Sequence, residues 1–99
     1  MQCPKQVYGK TTLIAEELYK SYPIELEYYE TKSRTKTGKI YGIGITKRYT
    51  DDKEVSVEQK EFNNIMSKEI EVKKLLQMLL VNKVTPITLK DVLQDLVIV

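Results

Sequence analysis

The side chains that usually perform acid–base, nucleophilic or metal chemistry are scarce in this sequence. Its 99 residues include no histidine and a single cysteine, Cys3. The commonest general base and transition-metal ligand is therefore missing, and a Ser-His-Asp triad cannot form. One cysteine cannot make an internal disulfide, and we interpret Cys3 as a free thiol near the terminus. We expect no catalytic, metal-binding or cofactor-binding residue, and a protein that is not an enzyme.

Two pairs of carboxylates are the remaining candidates for acid–base or cation chemistry. Glu25 and Glu27 alternate along a strand, and Asp51 and Asp52 adjoin in a turn. Such pairs can serve as acid and base or bind a hard cation. An exposed strand face and a turn carry the same residues for solubility alone, which is the interpretation we favour. No G-x-G-x-x-G phosphate loop occurs, so no nucleotide cofactor is expected.

The segment from Thr31 to Thr50 is basic and contains no acidic residue. Basic side chains interleaved with tyrosines on a sheet can bind single-stranded nucleic acid through phosphate contacts and base stacking. The alternative is a solvated hairpin whose lysines protect the sheet edge from pairing with another chain. The possible nucleic-acid surface comprises Lys32, Arg34, Lys36, Lys39, Lys47, Arg48 and Tyr49.

The C-terminal residues form a second candidate surface, which is apolar. A short helix that ends in four apolar residues carries more apolar surface than one stripe buries in a chain of this length. We expect these residues either to contact a partner, such as a second copy of the chain, or to fold against the chain's own sheet. The possible partner surface comprises Leu93, Leu96, Val97, Ile98 and Val99.

The elements that position these residues follow from hydrophobic periodicity. From Ile24 the apolar residues alternate, which predicts a strand with Leu26 and Tyr28 inside. A turn follows at 35–38, then a second strand over 39–49 and a third over 54–62. Residues 13–22 fit either a short helix or a strand, and we favour a fourth strand ended by Pro23. Residues 1–11 show no apolar period and are predicted to be a loose lead-in.

The last third of the chain changes to the helical period. Ser67 is placed as an N-cap, and apolar residues recur at helical spacing from Val72 to Leu80. A second short helix, capped by Thr88, follows Pro86. The sequence thus predicts a single α+β domain over residues 1–99. It consists of an antiparallel β-meander of three or four strands within 12–62 and two C-terminal helices within 67–97, packed on one face of the sheet.

Composition and charge limit the class of protein and its location. Sixteen Lys and Arg against fourteen Asp and Glu leave a net charge of +2, and 41% of the residues are hydrophobic. This is an ordinary globular balance, not the strongly basic charge of a nucleic-acid-binding domain. No apolar run approaches the ~20 residues that span a bilayer, and the first residues lack the apolar core of a signal peptide. We therefore expect no membrane partner and a cytoplasmic location.

Two segments carry a resemblance to known proteins. They are Tyr41-Gly42-Ile43 on the second strand and NKVTPITLKDVLQD from Asn82 to Asp95. They resemble a family of short uncharacterised proteins from clostridia and related Firmicutes, a domain of unknown function. The resemblance extends over most of residues 13–97, and the second segment is the more specific. It implies an intracellular bacterial α+β protein and supplies no activity.

The leading hypothesis is a non-enzymatic protein-interaction module that forms a homodimer or binds a small protein partner through its C-terminal residues. The alternative is a nucleic-acid-binding module that uses the basic hairpin over residues 32–48.

Overall fold

The protein is a four-stranded antiparallel meander with two helices against it. The computed structural model describes residues 5–17, 20–51, 53–96 and 98. The strands are β1 (Lys5–Glu17), β2 (Lys20–Thr35), β3 (Gly38–Asp51) and β4 (Glu54–Met66), and they lie side by side in chain order. The helices are α1 (Glu69–Val81) and α2 (Pro86–Asp95). The predicted α+β meander followed by two helices is confirmed.

One face of the sheet is covered by the helices, and we call it the covered face. Ile24, Leu26 and Tyr28 of β2 are buried there, as their alternation predicted. They lie beside the buried series of β3, which includes Ile43 and Ile45. The helices close this layer with side chains at helical spacing: Val72, Leu75, Leu76, Leu79, Leu89 and Leu93. The other face, which we call the open face, has no described element packed over it.

The sheet begins earlier and ends later than the sequence indicated. Residues 5–11 were expected in a loose lead-in, but they belong to β1, in which Lys5 is the residue opposite Thr31. The apolar period is hidden because β1 is an edge strand with few buried side chains and a bulge between Val7 and Gly9. Strand β4 likewise continues to Met66, four residues beyond the predicted end.

The described residues of the ambiguous segment, 13–17 and 20–22, are extended, as the favoured interpretation held. They comprise the end of β1 and the start of β2, so the sheet has four strands. The expectation that Pro23 ends the segment is wrong, because Pro23 lies inside β2 opposite Ile14. Proline costs a strand one backbone donor, while its fixed φ stays compatible with an extended chain.

The N-cap residues of the two helices lie one residue after and three residues before the expected ones. Lys68, not Ser67, is the N-cap residue of α1, and no side chain caps it. Thr85 precedes α2, which begins at Pro86 instead of being capped by Thr88. Proline suits the first helical position, since its missing N–H is one that a helix start leaves unbonded anyway. Within the described residues, neither helix is long and apolar enough to cross a membrane.

A tyrosine fixes the connection between the helices to the sheet. The fully buried Tyr28 donates its hydroxyl hydrogen to the carbonyl oxygen of Val84 at 2.8 Å. The connection thereby holds both helices across the middle of the sheet.

The molecule extends over 53 × 29 × 18 Å. Since α1 spans only about 20 Å at ~1.5 Å per residue, the sheet projects beyond the helices.

Candidate functional site

The structure divides the basic residues predicted to bind nucleic acid between the two ends of the β2–β3 hairpin. Lys36 lies in the turn, while Lys47 and Arg48 lie about ten residues along β3 from it, roughly 30 Å away at ~3.3 Å per residue. Lys47 is 3.8 Å from Glu58, and Arg48 is 3.9 Å from Glu25. These two cations are therefore paired within the protein and do not join the turn in one surface.

The turn end keeps four cations close together. Lys32, Arg34, Lys36 and Lys39 have no salt-bridge partner among the residues that the structure describes. The Lys32 ammonium lies 5.8 Å from the centre of the Tyr41 ring, on the covered face. Tyr41 is itself buried, so its ring presents no stacking surface beside these cations. Tyr49, the aromatic member of the predicted surface, lies at the opposite end with Lys47 5.2 Å from its ring centre.

The predicted apolar partner surface is largely used inside the protein. Leu93 is fully buried in the core, and Ile98 is partly buried against it. Leu96 is 45% exposed at the end of α2. Val97 and Val99 lie outside the described residues. The described C-terminal residues thus pack mainly against the chain's own core.

The predicted carboxylate pair of β2, Glu25 and Glu27, lies on the open face and forms ion pairs. Lys10 is 3.9 Å from Glu25 and 3.5 Å from Glu27, and Arg48 also reaches Glu25. Of the aspartate pair, Asp51 ends β3 and Asp52 lies outside the described residues. No group of three histidine, cysteine, aspartate or glutamate residues that could hold a metal ion is found in the described part of the chain.

The middle of the open face holds a hydrogen-bonded cluster around Tyr29. Tyr29 is 3% exposed, and its hydroxyl donates to Glu61 Oε1 at 2.8 Å and accepts from Gln59 Nε2 at 2.6 Å. The Lys5 ammonium lies 5.1 Å from the ring centre and 3.5 Å from Glu61. This tyrosine lies flat because its neighbour on β3, Gly44, has no side chain.

The glycines of β3 create the space for this cluster. A Cβ atom at Gly44 would come within 2.2 Å of the Tyr29 ring, and one at Gly42 within 2.5 Å of the Thr31 hydroxyl oxygen. Two glycines on one face of a strand usually mark a close approach or a bulge. Both occur here, since the β3–β4 register also shifts between Tyr41 and Ile43. Two glycines on one strand face were therefore a sound structural signal.

Ionisation of the cluster is governed by burial and hydrogen bonding. Burial raises the pKa of Tyr29 to about 12, helped by the charge of Glu61 and opposed by the Gln59 hydrogen bond. For Glu61, partial burial favours the neutral acid. Hydrogen bonds from Asn63 and Tyr29 and the nearby Lys5 charge outweigh it, so the pKa of Glu61 is lowered. The cluster is thus a neutral tyrosine bound to an ionised carboxylate.

Apolar side chains lie uncovered at the end of the open face away from the basic turn. Ile14 is opposite Pro23, Val55 is opposite Thr50, and Val57 is opposite Arg48. Pro23 and Thr50 line one surface depression, which places these pairs in adjoining rows across all four strands. Ile14, Val55 and Val57 are each more than half exposed. This apolar end of the open face is a candidate interaction surface.

The covered face contains a buried carboxylate that the sequence interpretation did not single out. Glu30 is 3% exposed, and neither of its oxygens has a hydrogen-bond partner among the described residues. A signal was available, since Glu30 continues the even-numbered buried series of β2. Glu30 borders a cavity of about 220 Å³ between β1, β2 and α1.

The tripeptide Gly9-Lys10-Thr11 matches the last residues of a phosphate-binding loop, but its setting does not. It lies within strand β1 and leads into no helix, so its backbone amides belong to the sheet. Gly9 instead gives room to α1, since a Cβ atom there would lie 2.6 Å from Leu80.

Comparison with known proteins places the chain in one family. A family of unknown function (DUF6514) matches residues 10–99. No curated protein and no solved structure matches the chain. The match covers most of the chain and brings no activity, substrate or partner with it.

Proposed function

The chain belongs to the family of unknown function DUF6514, and we propose that it is a non-enzymatic protein-interaction module that forms a homodimer through the open face of its sheet. The observation that carries the proposal is the uncovered end of this face, where Ile14, Val55 and Val57 are 63%, 63% and 55% exposed. Large aliphatic side chains in adjoining rows are typical of a contact surface.

The size and charge of the open face suit a second copy of the chain. Four strands ~4.8 Å apart and ~13 residues long present a face of roughly 800 Å², which is about what each partner buries in a stable interface. Beside the apolar end lie Lys10, Glu25 and Arg48, whose charges alternate across the strands. A face with both signs in neighbouring rows can pair with its own copy, since a two-fold axis brings each patch against another part of the same surface.

Sedimentation equilibrium over a range of concentrations tests this proposal. We expect a dimer whose dissociation constant rises at least about tenfold in Val57→Lys, because the substitution places a charge in the contact. Ile87→Lys is the matched control, since Ile87 is 81% exposed on α2, which packs on the covered face. A monomer at every concentration would overturn the dimer, and so would equal effects of the two substitutions.

The C-terminal surface expected from the sequence is the less favoured interface, because Leu93 and Ile98 contribute to the core. Leu96→Lys separates the two surfaces in the same experiment. If Leu96→Lys dissociates the dimer and Val57→Lys does not, the interface lies at the end of α2.

Nucleic-acid binding is the second candidate, and the four cations at the turn end favour it. Lacking a stacking surface there, the protein would contact the phosphate backbone only. We expect binding of single-stranded RNA to weaken steeply with salt and in the double variant Lys36→Gln/Lys39→Gln, measured by fluorescence anisotropy. Lys60→Gln/Lys68→Gln, at two exposed lysines elsewhere, is the control. Absence of binding at low salt removes this candidate.

A cytoplasmic location, expected from the pattern of apolar residues, and a bacterial origin, implied by the resemblance, are part of the proposal. Fractionation of the source cells tests the location, and recovery of the protein in the membrane or secreted fraction would contradict it.

A further inference from the structure

Strand β4 is an outer strand of the sheet, and its outer edge presents unpaired backbone groups. Every second residue of an antiparallel edge strand turns its N–H and C=O groups away from the neighbouring strand. β4 lies last in the strand order, and these groups have no backbone partner among the described residues. They form a row of alternating donors and acceptors, which another extended chain matches group for group.

This outer edge has a defined length. The pairing of β3 with β4 is regular from Glu54, opposite Asp51, to Phe62, opposite Ile43, which is nine residues of β4. Beyond Phe62 the register shifts, and Asn64 has a positive φ of 59°. Such irregularities end strand pairing. Nine residues extend over roughly 30 Å at ~3.4 Å each, so the edge can pair with a segment of about seven to nine residues.

Helix α2 packs beside this edge on the covered face, and the two elements border a surface depression of about 340 Å³. Glu58 and Lys60 of β4 line it on one side, and Ile87 and Lys90 of α2 line it on the other. The side chains of a strand bound at the edge would alternate in direction, so every second one would enter the depression. In strand addition of this kind, main-chain hydrogen bonds give the affinity and pockets for alternate side chains give the selectivity.

Ile87 makes part of the depression apolar. Its side chain is 81% exposed, more than any other large apolar side chain that the structure describes. Pro86 lies next to it in the same lining. An aliphatic side chain of a bound strand would cover Ile87 and remove the apolar surface of both from water.

The charges of the depression specify a second feature of the bound strand. Lys60 lies opposite the buried Ile45, so its side chain is on the covered face. Neither Lys60 nor Lys90 has a salt-bridge partner among the described residues, whereas Glu58 is already paired. Asp91, in the same lining, offsets only one of the two lysines. An acidic side chain opposite Lys60 would therefore complement the depression, and a basic one would be repelled.

We propose that the outer edge of β4 binds an extended segment of a partner protein, with acidic and aliphatic residues at alternate positions. The segment adds a fifth strand to the sheet, with its acidic side chain opposite Lys60 and an aliphatic side chain against Ile87. A second copy of the chain suits this edge less well. Its own β4 would bring a second α2 onto the same face beside the first, whereas a single extended segment carries no helix.

Titrations with three synthetic peptides test the site. The first peptide, acetyl-Thr-Val-Thr-Glu-Thr-Val-Thr-amide, presents its Glu and both Val side chains on one face in either strand direction. The second has Lys in place of Glu. The third, acetyl-Thr-Thr-Val-Glu-Val-Thr-Thr-amide, has the composition of the first but presents Glu and Val on opposite faces. We expect the first peptide to bind most tightly and the second at least about fivefold more weakly.

Amide hydrogen exchange followed by ¹H–¹⁵N NMR distinguishes strand addition from contact between side chains alone. We expect the first peptide to protect every second amide between Val55 and Phe62, because only the outward-facing N–H groups gain a partner. The amide of Ile87 should shift in the same titration, since the bound strand lies against this residue.

Two pairs of variants test the selectivity of the depression. Lys60→Glu should reverse the preference between the first and second peptides. Lys74→Glu makes the same charge change at an exposed lysine of α1 outside the depression, and it should preserve the preference. Ile87→Ser should weaken binding of the first peptide several-fold, whereas Val81→Ser, at a residue 63% exposed on α1, should not. The ¹H–¹⁵N spectrum of each variant shows directly whether it is folded.

Three outcomes would overturn the proposal. In the first, no peptide changes the amides of β4 at any concentration. In the second, the first and third peptides bind equally well. In the third, every second amide of β4 and none of β1 is protected at high protein concentration without peptide, which would assign the edge to a second copy. The open-face dimer is tested independently, because Val57 lies on the other face of β4 and the outer edge takes no part in that contact.

Discussion

Glu30 differs from the other described carboxylates of β2 in its surroundings, not in its chemistry. Glu25 and Glu27 face solvent and are paired with Lys10 and Arg48. Glu30 lies an odd number of residues along the strand from both of them. Its side chain therefore points to the covered face, where it is buried.

The stability of a Glu30 variant measures the cost of this burial directly. We expect Glu30→Met to raise the free energy of unfolding by at least about 1 kcal/mol, because an apolar side chain of similar length replaces an unsatisfied buried carboxylate. Urea denaturation followed by circular dichroism checks it. Glu58→Met, at an exposed position of β4, is the control and should change little. A destabilised Glu30→Met would mean that the carboxylate has partners within the folded chain.

Tyr28 gives the protein a defined sensitivity to alkaline pH. Burial raises the pKa of Tyr28 to about 12, whereas an unfolded tyrosine titrates near ~10. Above pH ~10 the unfolded chain releases this proton while the folded protein keeps it. The contribution to stability, complete below pH ~10, is therefore lost as the pH rises through about 12.

Denaturation midpoints measured between pH 9 and 12 test this assignment. This range is roughly the interval that the two pKa values define. We expect the wild-type midpoint to fall more steeply with pH than that of Tyr28→Phe, which has no proton to lose at this position. Tyr28→Phe should also be less stable at neutral pH, because the Val84 carbonyl loses its donor. Parallel pH profiles for the two proteins would contradict the assignment to Tyr28.

At the scale of elements, β2, β3 and β4 pack together on the open face only because Gly44 of β3 has no side chain. Tyr29 occupies the space above Gly44, and its hydroxyl reaches Glu61 and Gln59 on β4. One side chain of β2 thereby connects three strands. The glycine is required for its missing Cβ and not for any unusual backbone angle.

A double-mutant cycle tests this dependence between strands. We expect Gly44→Ala to cost about 1–3 kcal/mol of unfolding free energy, because the new methyl group displaces the Tyr29 ring. In a Tyr29→Ser background the same substitution should cost much less, since the ring is gone. Thr46→Ala, two residues further along β3 on the same face of the sheet, is the control. Equal costs of Gly44→Ala in both backgrounds would show that the ring does not need this space.

At the scale of the whole molecule, the sheet is longer than the helices that cover it. Side chains under α1 and α2 are buried on one face, whereas the β2–β3 turn at 35–38 has no helix over it. Exposed backbone hydrogen bonds with few apolar neighbours open with small free energies. The basic turn should therefore be the more mobile of the described parts and the central rows the more stable.

Native-state amide exchange checks this gradient. We expect amides of Arg34 to Lys39 to exchange fastest within the hairpin and those from Leu26 to Tyr28 and from Ile43 to Ile45 to exchange near the global unfolding limit. Addition of RNA that protects the turn alone would support the nucleic-acid candidate. Protection of β1 and β4 at high protein concentration would support the open-face dimer. Uniform exchange along the hairpin would contradict the gradient.

The sequence alone determined the fold class, the faces of the central strands and the helical stripe. These depend on local periodicity: Leu26 and Tyr28 alternate with charged residues, and Val72 to Leu79 recur at helical spacing. It also indicated that the glycines of β3 permit a close approach. The prediction from the sequence was wrong at β1, because its edge position and bulge leave no apolar pattern. It was also wrong at Pro23, because a strand tolerates the missing backbone donor.

Only the tertiary structure decided which functional groups meet. It separated Lys47 and Arg48 from the basic turn, because a strand carries residues apart at ~3.3 Å each. It buried Leu93 in the core, because α2 turns this residue toward the sheet, and it packed Ile98 against that core. It also brought Glu30 and Lys73 to one cavity from positions 43 residues apart in the sequence. The sequence showed few residues capable of chemistry, and the neighbours that the fold gives them are encoded in no local pattern.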